Sequence, residues 1–355
     1  MINIAVRVDS SYQIGIGHVM RCITLAAEIK KQIKADIIFL CRAAEGSVKN
    51  KIEAAGFEYI ELSAGIDDPT STLQHGHWLR ASQADDANEF IDALKAKNIN
   101  YLDLIIVDHY GIDHEWHKSV QNFTKKIFVI DDLGDRKHNC DYLLDQTFSC
   151  NNSKYTQLVK EECQQMLGTQ FALLRPEFEE RKTSQKSDSA LLVMFGGTDP
   201  DNLTLQALKV IRTLSHFKHV NVVLNDTAKY LTEVSEYCRS NKLFSLHISP
   251  NNIAELMANS VLAIGAAGTT SWERCALGLP TVVVIQAYNQ REIASNLKKA
   301  GVISYIESTD IEKKLETEIR NWLIKLSSEY NIVDKCLAIC DGKGAKRVAV
   351  RILND

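Results

Sequence analysis

In the segment Asp9-Ser-Ser-Tyr-Gln-Ile-Gly-Ile-Gly-His18, a histidine follows two glycines where an apolar strand gives way to an amphipathic helix. An imidazole at a helix start suits a proton acceptor, because the helix dipole disfavours the imidazolium form. His18 is therefore a candidate general base for water or a hydroxyl, although a capping or core histidine would occupy the same place. Gly15 and Gly17 let backbone approach a ligand closely. A Gly-x-Gly-x-x-Gly dinucleotide loop would need glycine where Met20 stands, which argues against a dehydrogenase.

Two further turns are rich in small residues. Phe195-Gly-Gly-Thr-Asp-Pro200 and Gly265-Ala-Ala-Gly-Thr-Thr-Ser-Trp-Glu273 each end a strand and lead into a helix. Free amides and helix N-termini in such turns suit a diphosphate. Glu273, one turn into its helix, has the reach to accept both hydroxyls of a ribose, but an acid there also answers to the helix dipole alone. His109, His114 and His117 lie close in sequence, as do His75 and His77. Their spacing crosses a strand end, Gly111 and a helix start without a matching acidic pattern, so no metal site is expected. Asp108 and His109, at a strand end, suit either a substrate contact or loop anchoring. Tyr110 and the segment 78–83 suit either a sugar pocket or the domain edge.

The elements that carry these residues read as repeated βα units. Apolar, β-branched runs at 2–8, 37–40, 102–107 and 126–130 are each followed by polar or glycine residues and a helical pattern. In the first helix Val19, Ile23, Ala26, Ile29 and Ile33 share one face, with Arg21, Glu28 and Lys31 elsewhere. A second series has strands at 190–195, 219–224, 243–248, 261–264 and 281–285 and helices near 202–214, 253–258, 270–277 and 290–300. The expected fold is α/β, with two Rossmann-like domains facing across a cleft: 1–150, a polar connection 151–189, and 190–355 with a helical tail from Ile311 broken at Asp341-Gly342 and Gly344.

Composition narrows the class. A chain of 355 residues with 45% hydrophobic content suffices for two cores, and a net charge of -4 gives no basic excess for nucleic acid. The nine cysteines are odd in number and never form CxxC, so they read as reduced, mostly buried thiols. The first strand starts at Ile2 without a signal-like stretch, and no apolar run approaches a membrane span of roughly 20 residues. A cytoplasmic protein without a membrane partner is expected, with monomer as the default.

The motifs RVDSS…GIGHVMRC, VDHYGID, IDDLGDR, LLRP, FGGTDPDN and GAAGTTSWERCALGLP, in order from Arg7 to about Gln290, closely resemble the PseG-type UDP-sugar hydrolases of pseudaminic acid biosynthesis. The resemblance implies a GT-B fold, similar to that of the glycosyltransferase that makes the lipid-linked peptidoglycan precursor. It also implies metal-independent cleavage of UDP-2,4-diacetamido-2,4,6-trideoxy-β-L-altropyranose to UDP and free sugar, with no cofactor. By the same resemblance His18 is the base for water and Glu273 the ribose ligand. Gly196, Gly197, Thr198, Gly268 and Thr269 lie near the diphosphate, Ile253 near uracil, and Asn289 and Gln290 in the loop that addresses the sugar. Gly15, Gly17, Arg21, Asp108 and His109 complete the expected substrate site. Two alternatives stay open: a glycosyltransferase with the same donor, and a nucleotide-sugar binding protein without turnover.

Overall fold

The computed structural model describes residues 2–179, 190–196, 199–286, 290–328 and 331–354. It divides into two units, one of Met1–Leu173 with Lys343–Asp355 and one of Leu174–Gly342.

The first unit alternates strands β1 (Ile2–Val8), β2 (Ala35–Arg42), β3 (Glu58–Leu62), β4 (Leu102–Asp108), β5 (Thr124–Ile130), β6 (Tyr142–Asp145) and β7 (Gln164–Leu167) with helices α1 (Gly17–Gln32), α2 (Lys49–Ala54), α3 (Gln83–Lys95) and α4 (His114–Val120). All the strand pairs are parallel, in the order β3-β2-β1-β4-β5-β6-β7. The strands are apolar on both faces because both faces are covered. Successive residues of β1 serve opposite cores: Ile4, Val6 and Val8 join Val19, Cys22 and Ala26 of α1, while Ala5 joins Phe90 of α3 and Trp116 of α4. Ser82 caps α3, its hydroxyl accepting the Asp85 amide at 3.1 Å.

The second unit repeats the scheme with β8 (Ala190–Met194), β9 (His219–Leu224), β10 (Phe244–Ile248), β11 (Leu262–Gly265), β12 (Thr281–Ile285) and β13 (Ile303–Glu307). Its helices are α5 (Leu203–Ile211), α6 (Leu231–Arg239), α7 (Ile253–Ala258), α8 (Thr270–Ala276), α9 (Gln290–Lys299), α10 (Ile311–Ser328) and α11 (Ile332–Ile339). The strand order is β10-β9-β8-β11-β12-β13, again parallel. In each sheet the order reverses at the first strand. Ligands of open α/β sheets bind beyond the carboxyl ends of strands at such a switch. The loops there follow β1 and β4 in one unit and β8 and β11 in the other, and these loops hold most of the residues that the sequence singles out.

The expected partition is corrected at two places. The polar stretch 151–189 contains β7, which pairs with β6 in the register Tyr142↔Gln164 to Asp145↔Leu167. As a four-residue edge strand with half-buried glutamines it shows no apolar run to the eye. The tail does not stay with the second unit. Its last helix, α12 (Gly344–Leu353), returns to the first, where Ala345, Val348, Ala349 and Ile352 are buried in the core that α1 shares. Ile33 falls just beyond α1 as its C-cap, and Arg21, expected off the apolar face, is buried. Eight of the nine cysteines are buried, and all nine are in the reduced form. No helix among the described residues is long and apolar enough to cross a membrane.

Burying Val348 and Ile352 is worth roughly 1.5–3 kcal/mol each. Deleting residues 343–355 is therefore expected to cost the first unit about 3–6 kcal/mol. Hydrogen exchange read by mass spectrometry should speed up in α1 and β1 and stay slow in β8 and β11; equal loosening of both units, or none, would refute the split core.

Candidate active site

In the first unit, β1 and β4 deliver two carboxylates that cannot reach water. Asp108, at the end of β4, is 1% exposed. It accepts two hydrogen bonds from Arg21, Nε to Oδ2 at 2.6 Å and Nη2 to Oδ1 at 2.7 Å, and lies 2.6 Å from His18 Nδ1. His18 and Arg21 are one helical turn apart on α1, so both meet a single strand end. Burial works against a charged Asp108, but the guanidinium of Arg21 and the imidazole of His18 outweigh it and hold the carboxyl well below the usual carboxylate range. A carboxylate only accepts, so the Nδ1 proton of His18 is donated to it, which leaves Nε2 as the acceptor nitrogen. Among the described residues nothing occupies Nε2.

The imidazole is also held at its faces. Its ring meets Tyr110 edge-on at 4.6 Å and Trp78 at 6.3 Å, and Trp78 and Tyr110 stack on one another at 5.6 Å. The Tyr110 hydroxyl donates to Asp132, which also accepts from Arg21 Nη1 at 3.0 Å. Arg21 thus spans two carboxylates. Burial and the Asp132 charge push the Tyr110 phenol up, so it remains a donor. Asp132 escaped the sequence reading of roles, although it stands in the quoted IDDLGDR stretch at the end of β5.

His109, next to Asp108, belongs to a separate network. Its Nδ1 accepts the Gly111 amide at 3.0 Å, so its proton is on Nε2, 3.1 Å from Asp9 Oδ2. Asp9 pairs with Arg7 and accepts the Arg42 amide at 2.7 Å; Arg7 and Arg42 converge on Asp86 of α3, which also accepts from Trp116 Nε1 at 2.8 Å. The geometry makes His109 an anchor for the first loop rather than a neighbour of His18. The Gly15 amide donates to the Ser11 carbonyl at 2.8 Å to close that loop, and Gly17 opens α1.

The remaining histidines are dispersed. His75 lies against Trp78, His77 meets Gln13, His114 pairs with Glu115, and His117 lies beside His138. No group of three or more potential metal ligands forms among the described residues.

In the second unit the two small-residue turns differ. After β8, Gly196 adopts φ +93°, and Gly197 and Thr198 lie outside the described residues. The helix that follows has two of its first amides occupied from within the chain. Asp199 already accepts the Leu203 and Thr204 amides, both at 2.9 Å, and so caps α5 with its own carboxylate. After β11, the Gly268 amide faces Ser271 Oγ at 3.4 Å and Thr269 is the N-cap of α8, without a side-chain cap. Glu273 is half-buried; burial raises its carboxyl, opposed by Arg175 at 3.9 Å. Ile253 opens α7 and is buried. Gln290 Oε1 accepts the Gln286 amide at 2.9 Å, and Asn289 lies outside the described residues.

Residues 191–340 match the family model of the glycosyltransferase family 28 C-terminal domain. Over 297 residues the chain is 29% identical to the UDP-2,4-diacetamido-2,4,6-trideoxy-beta-L-altropyranose hydrolase of Campylobacter jejuni, covering 83% of this chain and 96% of that one. It is likewise 29% identical over 301 residues to an uncharacterised protein of Methanocaldococcus jannaschii, covering 81% of this chain but only 57% of that longer relative. The crystal structure of MurG from Acinetobacter baumannii superposes over all of both chains with a TM-score of 0.66 at 10% identity, which shows a shared fold. The resemblance read from the motifs and the expected α/β class of two parallel-sheet, Rossmann-like domains are both borne out.

The His18–Asp108 pairing predicts one tautomer. In long-range ¹H–¹⁵N spectra at alkaline pH, His18 should show a protonated Nδ1 and an acceptor Nε2; the reverse assignment would refute the pairing. Asp108→Ala would leave Arg21 with one carboxylate and is expected to cost about 3–5 kcal/mol in urea unfolding.

Proposed function

We propose that this chain is a UDP-sugar hydrolase that cleaves UDP-2,4-diacetamido-2,4,6-trideoxy-β-L-altropyranose to UDP and the free sugar, a step of pseudaminic acid biosynthesis. The observation that carries the reading is the His18–Asp108 dyad, with Nδ1 committed to a buried carboxylate at 2.6 Å and Nε2 left as an acceptor. That is the equipment of a general base oriented by an acid. The named hydrolase among the relatives supports the choice of substrate.

In this mechanism His18 Nε2 removes a proton from a water molecule. The water oxygen forms a bond to the anomeric carbon as the bond from that carbon to the diphosphate oxygen breaks, and the electron pair leaves with UDP. Asp108 stabilises the imidazolium formed, and Arg21 keeps Asp108 ionised and in place. A single displacement gives inversion. UDP is already a good leaving group, so the usual second, proton-donating carboxylate of glycosidases is not required. Glu273 takes the ribose hydroxyls, the turns that carry Gly196–Thr198 and Gly268–Thr269 take the diphosphate, Ile253 adjoins uracil, and Asn289 with Gln290 addresses the sugar. Tyr110 and Trp78, which hold the imidazole, leave its reacting nitrogen free.

The family 28 match favours one rival, transfer of the sugar to an acceptor other than water. The two readings separate in a tube that contains no acceptor. The purified protein with this UDP-sugar and EDTA, followed by ¹H and ³¹P NMR, is expected to release UDP and the inverted free sugar. His18→Ala should keep UDP affinity and lose turnover by about 10²–10⁴-fold. An intact substrate with bound UDP would favour the transferase, and unchanged turnover in His18→Ala would remove the base from the mechanism.

A further inference from the structure

The second unit contains a buried cation that makes no ion pair among the described residues. Arg274, on α8, is 2% exposed. Its Nη2 donates to the Ala266 carbonyl at 2.8 Å and to Ser271 Oγ at 3.0 Å, its Nε has no partner, and among the described residues no carboxylate lies within ion-pair distance. Glu273, its neighbour in sequence, faces Arg175 instead. The guanidinium lies against the backbone of the turn after β11. A Cβ built on Gly265 would fall 2.9 Å from Arg274 Nη1 and 2.1 Å from the Met194 carbonyl oxygen, so only glycine lets strand, turn and guanidinium pack this closely.

A buried charge is ordinarily paired, because removal from water is costly and an apolar residue of the same volume would avoid that cost. Arg7, Arg21 and Arg136 of the first unit obey the rule, each against at least one buried aspartate. Arg274 does not. Burial pushes its guanidinium down to about 10, with Cys275 and Glu273 acting in the opposite sense. It stays a cation at neutral pH, and among the described residues no carboxylate pairs with it directly.

We propose that Arg274 is the counter-charge for the diphosphate of the nucleotide, acting through the turn 265–269 that it braces, so that ligand anion and protein cation compensate one another only in the complex. The inference rests on the UDP-sugar reading and adds to it the source of positive potential for the phosphates. The Ala266 carbonyl, held by Nη2, is turned toward the guanidinium, which fixes the turn while the side chain supplies charge without direct contact. Arg274 is thus a positioning and electrostatic residue rather than a catalytic one.

Calorimetric titration of the full chain with UDP, uridine and inorganic pyrophosphate, in wild type, Arg274→Met and Arg274→Lys, tests this, together with thermal unfolding of each protein. Arg274→Met is expected to weaken UDP and pyrophosphate about tenfold or more, to leave uridine within about twofold, and to unfold at or above the wild-type temperature because an unpaired buried charge has gone. Arg274→Lys should keep part of the diphosphate affinity. Equal weakening of UDP and uridine with a lowered unfolding temperature would make Arg274 merely structural and overturn the proposal, as would unchanged UDP affinity or a wild type that binds neither anion. The hydrolase reading fails by a different result: UDP bound in an Arg274-dependent way while the UDP-sugar stays intact.

Discussion

The first unit is organised around carboxylates that fold into places without water. Asp108 and Asp9 end or follow the central strands β4 and β1, and Asp86 comes up from α3 beneath them. An ionised carboxylate there persists only if donors are delivered to it in fixed directions. Arg21 with His18 serves one, Arg7 and His109 serve the second, and Arg7 and Arg42 with Trp116 serve the third. Satisfying these charges fixes the register of α1 against β4 and the position of the loop between them. The orientation of the His18 ring follows from the same constraint, with Tyr110 and Trp78 packed against it.

The two units solve the electrostatics of similar topologies differently. In the first, charge is balanced internally, and the product of that balance is an imidazole whose Nδ1 is committed to Asp108. In the second, one helix start is closed by its own Asp199, while the turn after β11 lies over the guanidinium of Arg274, which makes no ion pair among the described residues. The first arrangement suits proton transfer, where the group must recover its state after each cycle. The second suits binding of an anion, where imbalance in the free protein is relieved by the ligand.

Much of this was legible in the sequence, and what was not has definite causes. Both βα series, the strand-end positions of Asp108 and the small-residue turns, and the breaks in the tail follow from apolar periodicity and glycine placement. The pairing of His18 with Asp108 does not, because 90 residues separate them and only the strand order makes them neighbours. Helical periodicity sets Arg21 off the apolar face because it sorts by polarity and cannot foresee a buried partner. Asp199 was read with the glycines before it as part of a phosphate turn, although an aspartate four residues before a helical amide is also a cap. β7 was hidden because the backbone pairing of an edge strand leaves little trace in side-chain chemistry. His109 could be placed near the strand end but not assigned, since its role depends on Asp9 across the sheet.

The return of α12 to the first unit sets an order on assembly. A ribosome delivers β1 and α1 early, yet the helix that covers their shared core emerges only after all of the second unit has been made. During that interval Val19, Cys22 and their neighbours lack part of their cover, and the newborn chain has an apolar strip waiting for its last helix. The second unit, being continuous, is free to mature in the meantime. The loop before His18 leads into α1, so the setting of the His18–Asp108 pair is completed by α12, and a polypeptide released before that helix would bring a folded second unit with an unsettled His18.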